Sequence, residues 1–421
     1  MRMRVRIGGP LVALAVILPG CGAAADLLAR PPASTAPPSA APTPDPRAER
    51  RDIAAVQALM DARAEALISG DRKAFLAQLD SDDWSFVHEQ TVLFDNVQQL
   101  PFAVLEYDVT ELLPEQNVSS YDEQVLLPRT VLRYRFMGYD PATPASVSQL
   151  HTLVRRDDEW KIASDDDLVF AGDRREPWEY GPIEVEDTGR LLVVGDAGDD
   201  AQRIVQALRL ARTAVRTIER ELPVQWDHKL VVYATTDAAL FESYGFPRPD
   251  SGAITAPLTR SRRGEQPVVR VLINPDLPRI DPVIFTHEAT HVATAAYPDI
   301  PTWLDEGIAE YVSERARRGA GQEWPAAFVS KAQQAAPELP DSNGFYDGAV
   351  RYHYLHSWMA CEYIVERYGS DMLVRLADAM NSRPHLYSLD QQQDAVLLRL
   401  LGIASVQLAE AASDLLVRRY E

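Results

Sequence analysis

The chain has 421 residues, with 62 acidic against 42 basic side chains and a formal net charge of −20. That balance argues against nucleic acid as a partner, because phosphate binding needs a basic patch and none is visible. Two cysteines exclude a disulfide framework, and the length leaves room for two or three domains.

At the N-terminus Arg2, Arg4 and Arg6 precede an apolar run from Leu11 to Leu18, the pattern of a signal peptide and too short to span as a mature helix. Leu18-Pro19-Gly20-Cys21 then resembles the lipobox of bacterial lipoproteins. The resemblance implies cleavage before Cys21, lipidation of Cys21 and an extracytoplasmic protein tied to the membrane by N-terminal lipid only. The alternative is an ordinary secretory signal cut near Ala23 to Ala25; both imply export. Residues 22–46 are rich in Pro, Ala, Ser and Thr and are expected to form an extended disordered linker.

Residues 47–172 read as a separate small α+β domain. Ile53, Val56, Leu59, Met60, Ala64, Leu67 and Ile68 make a helical stripe, broken at Ser69-Gly70-Asp71, and Arg72 to Leu79 suggests a second short helix. Strand-like runs follow at Ser85–His88, Phe102–Thr110, Gln124–Tyr139 and Ser146–Arg155, then Glu159 to Asp165. Helices first and a curved antiparallel sheet after them, with Ala-Leu-Ile-Ser-Gly-Asp early and Leu-Val-Arg-Arg-Asp-Asp-Glu-Trp-Lys-Ile-Ala-Ser-Asp late, resemble the SnoaL-like, or nuclear transport factor 2-like, cone. His88, His151 and Asp165 to Asp167 form no pattern that demands chemistry, so the expected role is binding, spacing or shielding.

Residues 173–188, with Pro177, Gly181 and Pro182, read as a linker. Arg190–Val194 and Leu230–Ala234 are predicted strands around a long helix, Ala201–Leu222, which carries Ile204, Leu208, Ala211, Val215 and Ile218 on one face. A short helix is predicted over Ala238–Tyr244, and further strands at Ala253–Ala256 and Val268–Asn274.

The chain then reaches Ile284-Phe285-Thr286-His287-Glu288-Ala289-Thr290-His291. Asp281 is an N-cap signal and Pro282 suits the first helical position. His287 and His291, four apart, project from one helix face and can share one Zn²⁺, with Glu288 beside them as general base. Pro298 and Pro301 force a turn. Thr302 opens the next helix, with Asp305 as a capping-box-like partner, and the helix reads Trp303-Leu304-Asp305-Glu306-Gly307-Ile308-Ala309-Glu310-Tyr311. A catalytic zinc keeps three protein ligands and one open position, so a third ligand is sought here, and Glu306 is the best candidate. Gly307 leaves room for close helix approach. Glu310, one turn on, is placed to accept a hydrogen bond from the far nitrogen of a ligand histidine, His287 first.

The H-E-x-x-H helix paired with W-L-x-E-G-x-A-E-Y resembles the gluzincin metallopeptidases, and within them the bacterial peptidase MA-like group, over roughly residues 185–421. Carried over by motif, the resemblance implies His287, His291 and Glu306 as zinc ligands and Glu288 as the residue that activates water. Beyond it, helices are predicted at Glu323–Ala335, Ala349–Tyr368, Met372–Met380, Gln391–Leu401 and Ser405–Tyr420. The resemblance also implies a Tyr or His across the metal that stabilises the oxyanion. Tyr354, three before Ser357 in a helix ending Tyr368-Gly369, matches best, with Tyr352, His353 and His356 as rivals. Cys361 reads as a small buried apolar residue. The resemblance further implies an edge strand that pairs with extended substrate, either Ser251–Ala256 or Val268–Asn274.

The expected fold is therefore α+β: a cone-like N-terminal domain, then a mainly helical zincin-type domain with a small sheet. The expected activity is peptide-bond hydrolysis in peptide or protein substrates, with Zn²⁺ lowering the pKa of a bound water towards about 7. The alternative is a catalytically silent metal-binding surface lipoprotein that serves as an adaptor.

Overall fold

In the computed structural model the described residues are 46–113, 121, 124–167, 173–198, 201–244, 252–259, 266–319, 321–342, 344–346, 350–381 and 389–420. The signal and lipobox reading, Cys21 included, and the linker reading up to residue 45 lie outside them. The architecture is α+β.

Helix α1 (Pro46–Ser69) buries Val56, Met60, Ala64 and Leu67, spaced so that they share one face. Gly70, at φ 72°, ends it, and the Asp71 carboxylate caps α2 (Arg72–Leu76) by accepting from Ala74 N. Helix α3 (Trp84–Val97) corrects the strand expected at Ser85–His88. Asp83 accepts from Ser85 N and Phe86 N, and burial of Phe86, Gln90, Leu93, Phe94 and Val97 follows a helical period. Four residues taken alone could not reveal that period.

The first sheet has the order β1-β2-β4-β5, with β3 also paired to β2. Its strands are β1 (Phe102–Leu113), β2 (Val125–Phe136), β3 (Ala145–Leu150), β4 (Thr152–Arg156) and β5 (Glu159–Ser164). The run expected at Ser146–Arg155 is thus two strands. β3 pairs with Arg129–Tyr134 and β4 with Val125–Leu126, so the chain changes its partner stretch at His151. Asp157 and Asp158 both take positive φ in the β4–β5 turn, where short acidic side chains are tolerated.

Residues 173–188 are built structure rather than a plain linker. Pro177–Glu179 form a 3-10 turn with Trp178 2% exposed, and β6 (Ile183–Asp187) begins the second sheet. The Asn96 side chain of α3 binds this crossover, donating to the Trp178 and Gly181 carbonyls and accepting from Ile183 N.

The second sheet runs β6-β7-β8-β10-β9, with β7 (Leu191–Asp196), β8 (Leu230–Tyr233), β9 (Ala253–Pro257) and β10 (Val269–Ile273). β7, β8 and β10 are mutually parallel; β6 and β9 are antiparallel to their neighbours. Both faces are covered. Leu191, Val193, Leu230, Val232, Val271 and Ile273 pack with α4 (Ala201–Glu221) and the helices that follow. Leu192, Val194, Val231, Tyr233, Ile254 and Leu272 share a core with the first sheet and α1–α3.

After α5 (Ala238–Ser243) come α6 (Pro282–Thr294) and α7 (Thr302–Gly319). Then follow α8 (Ala326–Gln334), α9 (Val350–Tyr368), α10 (Asp371–Asn381), α11 (Leu389–Leu401) and α12 (Ser405–Tyr420). Asp281 caps α6 by accepting from Val283 N at 2.7 Å, and Pro282 is its first residue. Buried Thr286, Thr290 and Thr294 each donate to the carbonyl four residues back, so this helix can lie in the core with its hydroxyls satisfied.

Candidate metal centre

Helices α6 and α7 pack against each other and bring His287, His291 and Glu306 together. Glu306 Oε2 lies 3.0 Å from His287 Nε2 and 3.4 Å from His291 Nε2, and the two Nε2 atoms are 3.1 Å apart. Tetrahedral ligand atoms at about 2.0–2.1 Å from an ion stand about 3.3 Å from one another. The three atoms therefore have the spacing of one face of such a polyhedron, and the group could hold a metal ion.

Each histidine is oriented from behind. His291 Nδ1 lies 3.2 Å from Asp305 Oδ1, and His287 Nδ1 lies 3.2 Å from Glu310 Oε1, an ion-pair contact off hydrogen-bond alignment. A proton on each Nδ1 leaves each Nε2 lone pair aimed at the shared centre. Glu310 also meets Arg317 at 3.3 Å, and the Arg317 guanidinium lies over the Trp324 ring. The Asp305 carboxylate, read from the sequence as a capping partner of Thr302, is turned to His291, and Thr302 N donates to Ser342 Oγ instead.

The field at the centre favours positive charge. Burial pulls the His287 imidazolium down, but Glu306 and Glu310 outweigh it and hold the group up at about 10. His291 is likewise raised, against burial, by Asp305 and Glu306. Burial opposes ionisation of Glu306, and the two histidines still hold its carboxyl well below the usual range. A divalent cation and a proton compete for the same lone pairs, so such surroundings suit a cation.

Glu288 follows His287 on α6, half-buried. The Thr255 hydroxyl lies 2.8 Å from the Glu288 carbonyl and 2.7 Å from its Oε2. Burial raises the Glu288 carboxyl, and the two histidines and Thr255 pull the other way. Thr255 belongs to β9, the edge of the second sheet, while β10 is interior. Of the two strands considered, the edge is β9.

Tyr354 on α9 packs its ring edge-on to His287, 5.8 Å between centroids, and burial raises its phenol above the ordinary value. Its rivals have other partners. Tyr352 lies against Phe328 and Lys331, His353 Nδ1 meets the Phe345 carbonyl at 2.6 Å, and His356 Nε2 meets the Ala332 carbonyl at 3.0 Å. Cys361 is fully buried. His88 is exposed and stacked on Trp84, whereas His151 is buried beside Thr130, so the two do not share a site.

Three participants carried no sequence signal: Thr255, Asp305 as a partner of His291, and Tyr346, whose hydroxyl donates to Glu306 Oε1. No protein-family model matches the chain, and no curated protein matches its sequence.

Proposed function

We propose that the protein is a zinc-dependent metallopeptidase that hydrolyses peptide bonds outside the cytoplasm. The observation that carries this reading is the Nε2–Nε2–Oε2 triangle with sides of 3.0, 3.1 and 3.4 Å, flanked on the same helix by Glu288. His287, His291 and Glu306 would hold the ion, and two imidazoles with one carboxylate suit zinc with one position left for a small ligand. Bound there, zinc supplies Lewis-acid chemistry that acidifies water and polarises a carbonyl.

The chain's own residues do the rest. Glu288, held by Thr255, accepts the proton of the attacking water and returns it to the leaving amine. Among the described residues β9 pairs with β10 alone, so its other edge offers backbone donors and acceptors to an extended peptide beside Glu288. Tyr354, against His287, is the proposed donor to the oxyanion. The likeness of the two motif helices to gluzincins supports the same roles, and the Arg2 to Cys21 pattern supports export as a lipoprotein.

The test is metal content and peptide hydrolysis measured together on residues 46–421 and on Glu288→Gln. One zinc per chain in both is expected, with chelator-sensitive cleavage that falls by about 10²–10⁴ in the variant. No zinc in either, after purification with zinc supplied, would overturn the proposal. Zinc in both without cleavage of a broad peptide library would favour the silent adaptor.

A further inference from the structure

We propose that Tyr346 is a positioning residue that holds Glu306 to ligation through one oxygen and so keeps the remaining position at the metal centre open; this rests on the zinc-peptidase reading above. The Glu306 carboxylate has two oxygens in different surroundings. Oε2 faces both histidine Nε2 atoms, at 3.0 and 3.4 Å. Oε1 accepts the hydrogen bond from the Tyr346 hydroxyl. A phenol has one O–H to donate, and an oxygen that receives it in line is a poorer second ligand for a cation. Were both oxygens to ligate, the carboxylate would take up the position that water or a substrate carbonyl needs.

The placement of Tyr346 is built rather than incidental. Tyr346 is 63% exposed, yet its hydroxyl reaches a glutamate that is 5% exposed. Its neighbour Phe345 is fully buried and anchors the turn. The Phe345 ring meets Tyr354, His353 and Tyr346 at 5.3, 5.5 and 5.1 Å between centroids. The Phe345 carbonyl is held by His353, and Tyr354 in turn touches His287. One aromatic cluster thus fixes both the Tyr346 hydroxyl and one of the histidines whose Nε2 faces the same carboxylate. Packing of an exposed ring does not require a hydroxyl at that point.

The experiment uses the full chain and its Tyr346→Phe variant, each loaded with cobalt(II) and with zinc. Only the hydroxyl is removed and Phe345 still anchors the turn, so the variant should fold, with an unchanged melting profile as the control. The expected result has three parts. The parent shows the intense visible absorption of four-coordinate cobalt, and the variant a weaker, higher-coordinate spectrum. The variant loses about tenfold or more in metal affinity. Its kcat falls while KM changes little. An unchanged cobalt spectrum in the variant would overturn the inference and leave the zinc-peptidase reading standing. A parent that binds neither metal would overturn that reading and this inference with it.

Discussion

The Nδ1 partners of the two histidines differ in exposure: Glu310 is 10% exposed at its side chain and Asp305 38%. The buried partner should matter more, because its charge is less screened. Glu310→Gln is expected to lower zinc affinity about 10–100-fold, and Asp305→Asn by less, measured by chelator competition. Equal losses would refute the argument from screening. Away from the centre, His151 is pulled down to about 3 by burial and by Arg63 and Arg175. Its folded-state value lies below the ordinary 6.5, so its contribution to stability is complete above that pH and is lost as pH falls towards 3. His151→Gln should flatten the decline of melting temperature between pH 6.5 and 3.5; parallel curves for parent and variant would rule this out. At this scale His287, Glu288, His291, Glu306 and Glu310 were legible because each lies within one or two helical turns of another. Thr255 and Tyr346 were not, since they reach Glu288 and Glu306 from chain segments 33 and 40 residues away.

Gly307 shows how an element is admitted to the centre. A Cβ on it would sit 2.6 Å from the Ser357 carbonyl oxygen and 2.7 Å from Cys361 Sγ, so α7 and α9 touch backbone to backbone. Gly307→Ala must push the helices apart, at a cost of about 1–3 kcal/mol by chemical denaturation. It should also weaken metal binding, because Glu306 is its neighbour; a variant of parental stability and affinity would show the contact to be soft. The N-cap of α6 and the glycine at this contact could be read from the chain, since both are local constraints. The helix at Trp84–Val97 and the split of β3 from β4 could not. The first needed a window longer than four residues, and the second depends on which part of β2 each strand meets.

The two sheets are joined by a buried ion pair and a shared core. Arg270 of β10 donates through Nη1 and Nη2 to Asp140 at 2.7 and 2.8 Å, with side chains 0% and 2% exposed, and its guanidinium lies over Tyr134, Phe136 and Tyr233. Asp140→Asn leaves that cation buried without its counter-charge and should cost on the order of 3–5 kcal/mol, whereas Asp140→Leu with Arg270→Met should be nearer neutral. Denaturation curves of the three proteins decide it, and a loss below about 1 kcal/mol in the single variant would contradict the assignment. The shared core makes a stronger claim. Residues 182–421 expressed alone would bare Leu192, Val194, Val231, Tyr233, Ile254 and Leu272, and should aggregate or bind a hydrophobic dye. A monomeric fragment that melts like the parent would mean that the first sheet is dispensable.

By itself the sequence determined the chemistry available to this protein: a histidine pair one turn apart, an adjacent glutamate, and a second helix with carboxylates spaced to meet them. Those are short-range relations, and helical geometry carries them directly from residue order into space. Only the tertiary structure decided which strand is the edge, which hydroxyl holds which carboxylate, and that the first sheet covers the far face of the second. These depend on long-range packing, where alternation of apolar residues says that a face is buried but not what buries it.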